Sequence, residues 1–145
     1  MFQRVGVAAL KLVVDTNILL KALIKDSRVR AILLSPVDQF LLPEYALEEV
    51  DEHMGLVVGR SGLSEGEVRL VLSVLLTNIE VVPKEDLFVV WGEAEELIGS
   101  IDPDDVPFVA ASLSRSCDGV WSDDGHLKMQ SVVRVWTTLE MVQRR

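Results

Sequence analysis

The stretch Lys11-Leu12-Val13-Val14-Asp15-Thr16-Asn17 constrains the chain more than any other. An apolar run stops at one carboxylate, a polar pair follows, and residues 18–24 continue as an apolar stretch with helical potential. That order predicts a buried strand that ends at an acid and turns into a helix. In open α/β sheets, ligands collect beyond the carboxyl ends of the strands. Asp15 is therefore expected where chemistry takes place, unless it serves only as a helix N-cap. The question for the rest of the chain is which residues fold back to meet it.

The same alternation recurs along the sequence. Strands are expected over residues 11–15, 39–42, 79–82, 120–122 and 132–136. Between them, helices are expected over 17–25, 27–34, 43–58, 64–76, 84–99 and 104–116, with a short helix at the end. Pro43 is read as opening the third helix at a favoured first-turn position, and Gly59-Arg60-Ser61-Gly62 as a loop. Ser64 and Glu67 have the spacing of a capping box. Strands alternating with helices predict an α/β fold with a parallel sheet covered on both faces. At 145 residues, with no repeat, linker or low-complexity tract, the expectation is one domain over residues 1–145.

The formal net charge of -9 argues against nucleic-acid binding through bulk charge, yet clustered acids awaiting cations would also make a chain acidic. One cysteine, Cys117, offers no disulfide framework and fits a reducing interior. Arg4 before an apolar run faintly resembles a signal peptide, but Lys11 breaks the run and these residues are read as a lead-in to the first strand. No stretch reaches the roughly 20 apolar residues of a membrane span, so a soluble, cytoplasmic protein is expected.

Four groups of acids stand out. Asp15 is the first. In residues 43–58 the apolar stripe is Ala46, Val50, Met54 and Val57; Glu49 falls on its flank and Glu48 nearly opposite, so Glu49 is the acid able to reach a cleft. His53 reads as a surface or partly packed imidazole. Asp102, Asp104 and Asp105 precede a helix, where the macrodipole alone would favour them. Asp105 lies one turn before Val109 on the buried stripe and is the ligand candidate; Asp104 is the expected cap. Asp123 and Asp124 follow Trp121-Ser122 at a strand end, and periodicity does not rank one against the other. Gathered carboxylates repel one another and need cations. An all-oxygen set suits Mg²⁺ or Mn²⁺, which activate water and screen a phosphodiester.

The segments Val13-Val14-Asp15-Thr16-Asn17, Glu48-Glu49-Val50, Asp104-Asp105-Val106-Pro107-Phe108-Val109-Ala110-Ala111 and Trp121-Ser122-Asp123-Asp124 resemble, in this order and spacing, the PIN-domain (VapC-like) ribonuclease family. The resemblance implies a PIN-like three-layer α/β/α sandwich with a central parallel sheet and Mg²⁺- or Mn²⁺-dependent RNA cleavage. It implies that Asp15, Glu49, Asp105 and Asp124 bind metal, that Thr16 or Asn17 supports Asp15, and that Ser122 is the small hydroxyl residue before the last acid. Asp104 and Asp123 are the alternatives at the doubled positions. It also implies a homodimer and, for a toxin, an antitoxin protein as partner. The proline in Val106-Pro107-Phe108 resembles an archaeal and bacterial subgroup more than the VapC-type toxins.

For RNA, nearly continuous first and second helices would put Asn17, Lys21 and Arg28 on one face with Lys25 nearby, where they could hold phosphates. Arg60 is a second candidate. The competing enzyme readings are weaker. A haloacid-dehalogenase-like phosphatase needs a second Asp where Asn17 stands, and a receiver domain needs an acid where strand three ends in Val82-Pro83. The non-enzymatic alternative is a PIN-like RNA-binding or assembly module with little activity.

Overall fold

A computed structural model describes residues 8–144; the lead-in expected from Arg4 falls mostly outside that range. Strand β1 (Lys11–Val14) pairs in parallel with β2 (Gln39–Pro43) on one side and β4 (Gly119–Trp121) on the other. Strands β3 (Ile79–Val82) and β5 (Val135–Trp136) complete a five-stranded all-parallel sheet in the order β3-β2-β1-β4-β5. Leu12, Val13 and Val14 are fully buried, as a central strand covered on both faces requires.

On one side lie α1 (Thr16–Ile24), α2 (Ser27–Leu34), α3 (Tyr45–Glu52) and α4 (Met54–Ser61), with α1 packed against each of the others. Then come α5 (Glu65–Leu76), α6 (Lys84–Ala94), α7 (Val106–Arg115) and the short α8 (Thr138–Gln143). Helix α7 packs on β1, β2, β4 and α6. The α/β/α sandwich expected from the alternation is the fold observed. The capping box at Ser64 and Glu67 is present in both its hydrogen bonds.

Several boundaries differ from expectation. Pro43 does not open a helix; it ends β2 in register with Val82. The expected 43–58 helix breaks at His53, whose amide bonds back to both Glu49 and Val50, and resumes as α4. The expected 59–62 loop is mostly the last turn of α4. Only Gly62 leaves the helix, in the left-handed conformation glycine adopts without penalty. Strand β5 is two residues rather than five, because Gln130 holds residues 130–133 in a turn through the amides of Val132 and Val133. Lys25, at φ -166°, separates α1 from α2, so the two are not continuous.

Gly119 starts β4 where β5 crowds it. Its φ is +134°, and a Cβ there would lie 2.1 Å from the Arg134 carbonyl, which accepts the Val120 amide at 2.9 Å. No other residue fits, and this contact sets how β4 delivers Ser122 to the rim.

Candidate metal centre

β1 ends at Val14, and the ladder continues one step further: the Asp15 amide donates to the Trp121 carbonyl at 3.0 Å. Asp15 then caps α1, accepting the Asn17 amide, as its N-cap reading expects. Its side chain is almost fully buried; Ser122, at the end of the neighbouring strand, donates to Asp15 Oδ2 at 2.6 Å. Burial pushes the Asp15 carboxyl above its ordinary range; the Ser122 hydroxyl and nearby amides pull it down, and the charge of Asp124 pushes it further up.

Glu49 reaches toward the same rim from α3, and Thr16 Oγ1 donates to its Oε1 at 3.1 Å. Burial raises the Glu49 pKa, the Thr16 hydrogen bond opposes this, and the charge of Asp15 adds to the rise. Glu48 faces solvent and is paired with Lys84, as the helical geometry predicts.

Asp105 is reached by an unusual route. Helix α6 passes into a π-turn (Glu95–Gly99), whose Ile98 carbonyl accepts the Asp102 amide at 2.8 Å. A single 3₁₀ turn (Pro103–Asp105) follows and leads into α7. The cap of that turn is Asp102, which accepts the Asp104 amide at 3.0 Å, and not Asp104 as expected. Pro103 sits at the first position of the turn, where its missing N–H costs little, and Asp104 is exposed. Asp105 is 5% exposed, and its Oδ2 is buried with no hydrogen-bond partner among the described residues. Burial, followed by the charges of Asp124, Asp102 and Asp15, pushes the Asp105 pKa up to about 8.

The doubled acids after β4 part company. Asp123 turns back, accepting the Thr138 amide (2.7 Å) and hydroxyl (2.6 Å) and pairing with Lys21 at 2.9 Å. Burial alone would raise its pKa, but these partners outweigh it and the pKa is lowered. Asp124 faces inward. Ser122 Oγ accepts the Asp124 amide at 3.0 Å, and Asp124 Oδ1 accepts the His126 amide at 2.9 Å.

Asp102, Asp105, Asp124 and His126 each offer one donor atom, all within 4.8 Å of one another. Asp15 and Glu49 border this group through the electrostatic contacts above and through Thr16, but are not in it. Two of its members, Asp102 and His126, were not among the expected ligands. Asp102 stands three residues before Asp105 and His126 two after Asp124. That spacing was readable, but nothing in a sequence says that the two loops touch.

The donor set fits a divalent cation: carboxylates crowd together without any cationic side chain bonded to Asp105, and one buried oxygen has nothing to accept. Beside it lies a cleft of about 630 Å³ lined by Asn17, Leu20, Lys21, His53, Arg60 and Asp124 among others. Lys21 and Arg60 thus stand over it, whereas Lys25 and Arg28 are exposed and do not line it. The break between α1 and α2 is the reason.

A family model described as PIN domain matches residues 13–145, taking in all of these acids. No curated protein matches the chain.

Proposed function

This chain belongs to the PIN-domain family, and we propose that it is a Mg²⁺- or Mn²⁺-dependent endoribonuclease that hydrolyses RNA phosphodiester bonds at the rim where Asp15, Asp105 and Asp124 meet. The family fold is a nuclease fold, and Asp105 and Asp124 belong to an acidic group here that could hold a cation. The observation that carries the reading is the Asp105 carboxylate, buried among other acids with one oxygen unpartnered. An arrangement of that kind costs stability unless a cation completes it.

Asp15, Asp105 and Asp124 would hold the ion, with Glu49 beyond Thr16 completing the negative hollow. When bound, the cation supplies Lewis acidity and a water of lowered pKa. The protein's own part is orientation. The Ser122 hydroxyl bridges the Asp15 carboxylate and the Asp124 amide, fixing two acids from two strands relative to each other. Thr16 holds Glu49. Lys21 and Arg60 line the cleft, where they would hold phosphates of the strand, and Leu20, Ile24 and Leu56 give it an apolar wall. Asp123 positions Lys21 and is not a ligand in this reading.

The reading extends to partners. Leu70 and Val74 on α5, with Leu34, leave an exposed apolar face that suits a second copy of the chain, and a toxin role adds an antitoxin that covers the cleft.

RNA cleavage with Mg²⁺, with Mn²⁺ and with chelator, comparing the wild type with Asp15→Asn and Asp105→Asn, tests the proposal. Cleavage is expected to need the ion and to be lost in both variants. RNA binding without metal-dependent cleavage by the wild type would leave a binding or assembly module instead.

A further inference from the structure

We propose that the cation site includes two ligands beyond the acids that the family likeness marks out: Asp102 and one ring nitrogen of His126 join Asp105 and Asp124, so the site favours Mn²⁺ over Mg²⁺. The proposal rests on reading the acidic hollow as a cation site and specifies its ligands. Three observations support it. Donor atoms of the four residues lie within 4.8 Å of one another. Opposed ligands around an ion with metal–oxygen distances of about 2.1 Å stand roughly 4.2 Å apart, so the four already span about one coordination sphere. The second is independent of the clustering: Asp105 Oδ2 is buried and unpartnered in a residue 95% withdrawn from solvent.

The third is that the two added side chains are held in place by bonds that leave donors over. Asp102 spends Oδ1 on the Asp104 amide, and its Oδ2 lies 3.1 Å from His126 Nδ1. The His126 amide is fixed to Asp124 Oδ1, so the imidazole is anchored at its backbone end. Its side chain is 58% exposed, and among the described residues its ring nitrogen lies near the carboxylates of Asp102 and Asp124. A divalent ion competes for the same carboxylates. In its neutral form the imidazole would offer a ring-nitrogen lone pair to that ion.

The consequence is selectivity. Mg²⁺ takes oxygen ligands and keeps its waters, whereas imidazole nitrogen suits first-row transition ions. An all-carboxylate pocket lacks that discrimination; the loop of residues 122–126 adds it.

The test uses the full chain, with Mn²⁺ or Mg²⁺ alone and no RNA. Calorimetry gives the two affinities, and pulsed electron paramagnetic resonance of bound Mn²⁺ reports any imidazole nitrogen. The wild type is expected to show the nitrogen coupling. His126→Ala, which keeps the backbone amide and removes an exposed side chain, should lose the coupling and about tenfold in Mn²⁺ affinity. Its Mg²⁺ affinity should change far less. Asp102→Asn should weaken both ions. Mn²⁺ bound to the wild type without nitrogen coupling overturns the proposal, as does an equal loss of both ions in His126→Ala; in either case the cation site itself stands. A wild type that binds neither ion overturns the cation site as well.

Discussion

Both ends of the central sheet bury an aspartate, and they treat it in opposite ways. At the amino-terminal edge Asp38 precedes β2 with its side chain wholly inside. It accepts the Leu10 amide at 2.8 Å and pairs with Arg144 at 3.0 Å, tying the end of α8 to the entry of β1. At the carboxyl-terminal edge Asp105 is equally withdrawn, but its neighbours are Asp124, Asp102 and Asp15, and one of its oxygens has no partner. A buried carboxylate paired with arginine joins parts of a fold; one surrounded by its own sign works against the fold until something positive arrives. On the proposed reading, the difference separates an acid kept for structure from one kept for binding, with no appeal to which acids a family shares.

The largest effect should come from substitutions at the unpaired end. Asp105→Asn and Asp124→Asn are each expected to lower metal-dependent RNA cleavage by on the order of 10²-fold or more, since the interaction lost is worth several kcal/mol. Asp123→Asn, one residue from Asp124 but turned toward Lys21 and Thr138, should lose much less. Equal losses at 123 and 124 would erase the distinction drawn between the two acids. Initial cleavage rates at saturating Mn²⁺ decide this.

At the paired end the effect should fall on stability instead. Arg144→Ala takes one charged partner from a buried carboxylate and is expected to lower stability in urea unfolding by on the order of 1–3 kcal/mol. Cleavage per folded molecule should not change. A loss of activity with unchanged stability would mean that the two ends are not independent.

The pH dependence sharpens the contrast. Without metal, the folded-state pKa of Asp105 is about 8, above the 3.8 of an ordinary aspartate. Between these values the folded chain keeps a proton that the unfolded chain has lost, so stability falls as pH rises across the window. Asp15 and Glu49, also raised, contribute with the same sign. In chelator, Asp105→Asn should therefore flatten the slope without abolishing it. Near pH 8 the variant should be the more stable of the two, with the higher Tm. Thermal melts from pH 5 to about 8.5 measure this directly. A slope identical in variant and wild type would show that Asp105 ionises normally.

Much of this was legible in the sequence, for identifiable reasons. Strands buried on both faces make unbroken apolar runs, so β1 to β4 and the acid after β1 were readable, as was the greater exposure of Glu48 than of Glu49 from helical phase. What escaped depends on contacts between distant segments. The Asp102–His126 approach spans 24 residues and two loops. The break at His53 and the two-residue β5 follow from hydrogen bonds that no local pattern encodes. Pro43 misled because a proline suits a helix start as well as the end of a strand. Asp123 and Asp124 have equal claims in sequence; only the clamp from Thr138 and Lys21 separates them.

The cations of the cleft give the smallest and most discriminating prediction. Arg60 lines the cleft from the last turn of α4, and Lys21 lines it while held by Asp123. Lys25 and Arg28 lie past the break that ends α1, outside the lining. Each lysine or arginine that neutralises one phosphate of a single strand contributes about 0.7 to the slope of log affinity against log salt. Arg60→Ala should therefore flatten the slope by roughly that amount for single-stranded RNA. Lys21→Ala should do less, because removing Lys21 also frees Asp123 to repel the strand. Lys25→Ala and Arg28→Ala should leave the slope unchanged. Salt titrations in Ca²⁺ or chelator, where cleavage does not interfere, separate the four. If Lys25 and Arg28 carried the slope and Arg60 did not, the strand would run along α2, away from the acids, and the carboxyl-terminal rim would lose its claim to be the end of the sheet that meets RNA.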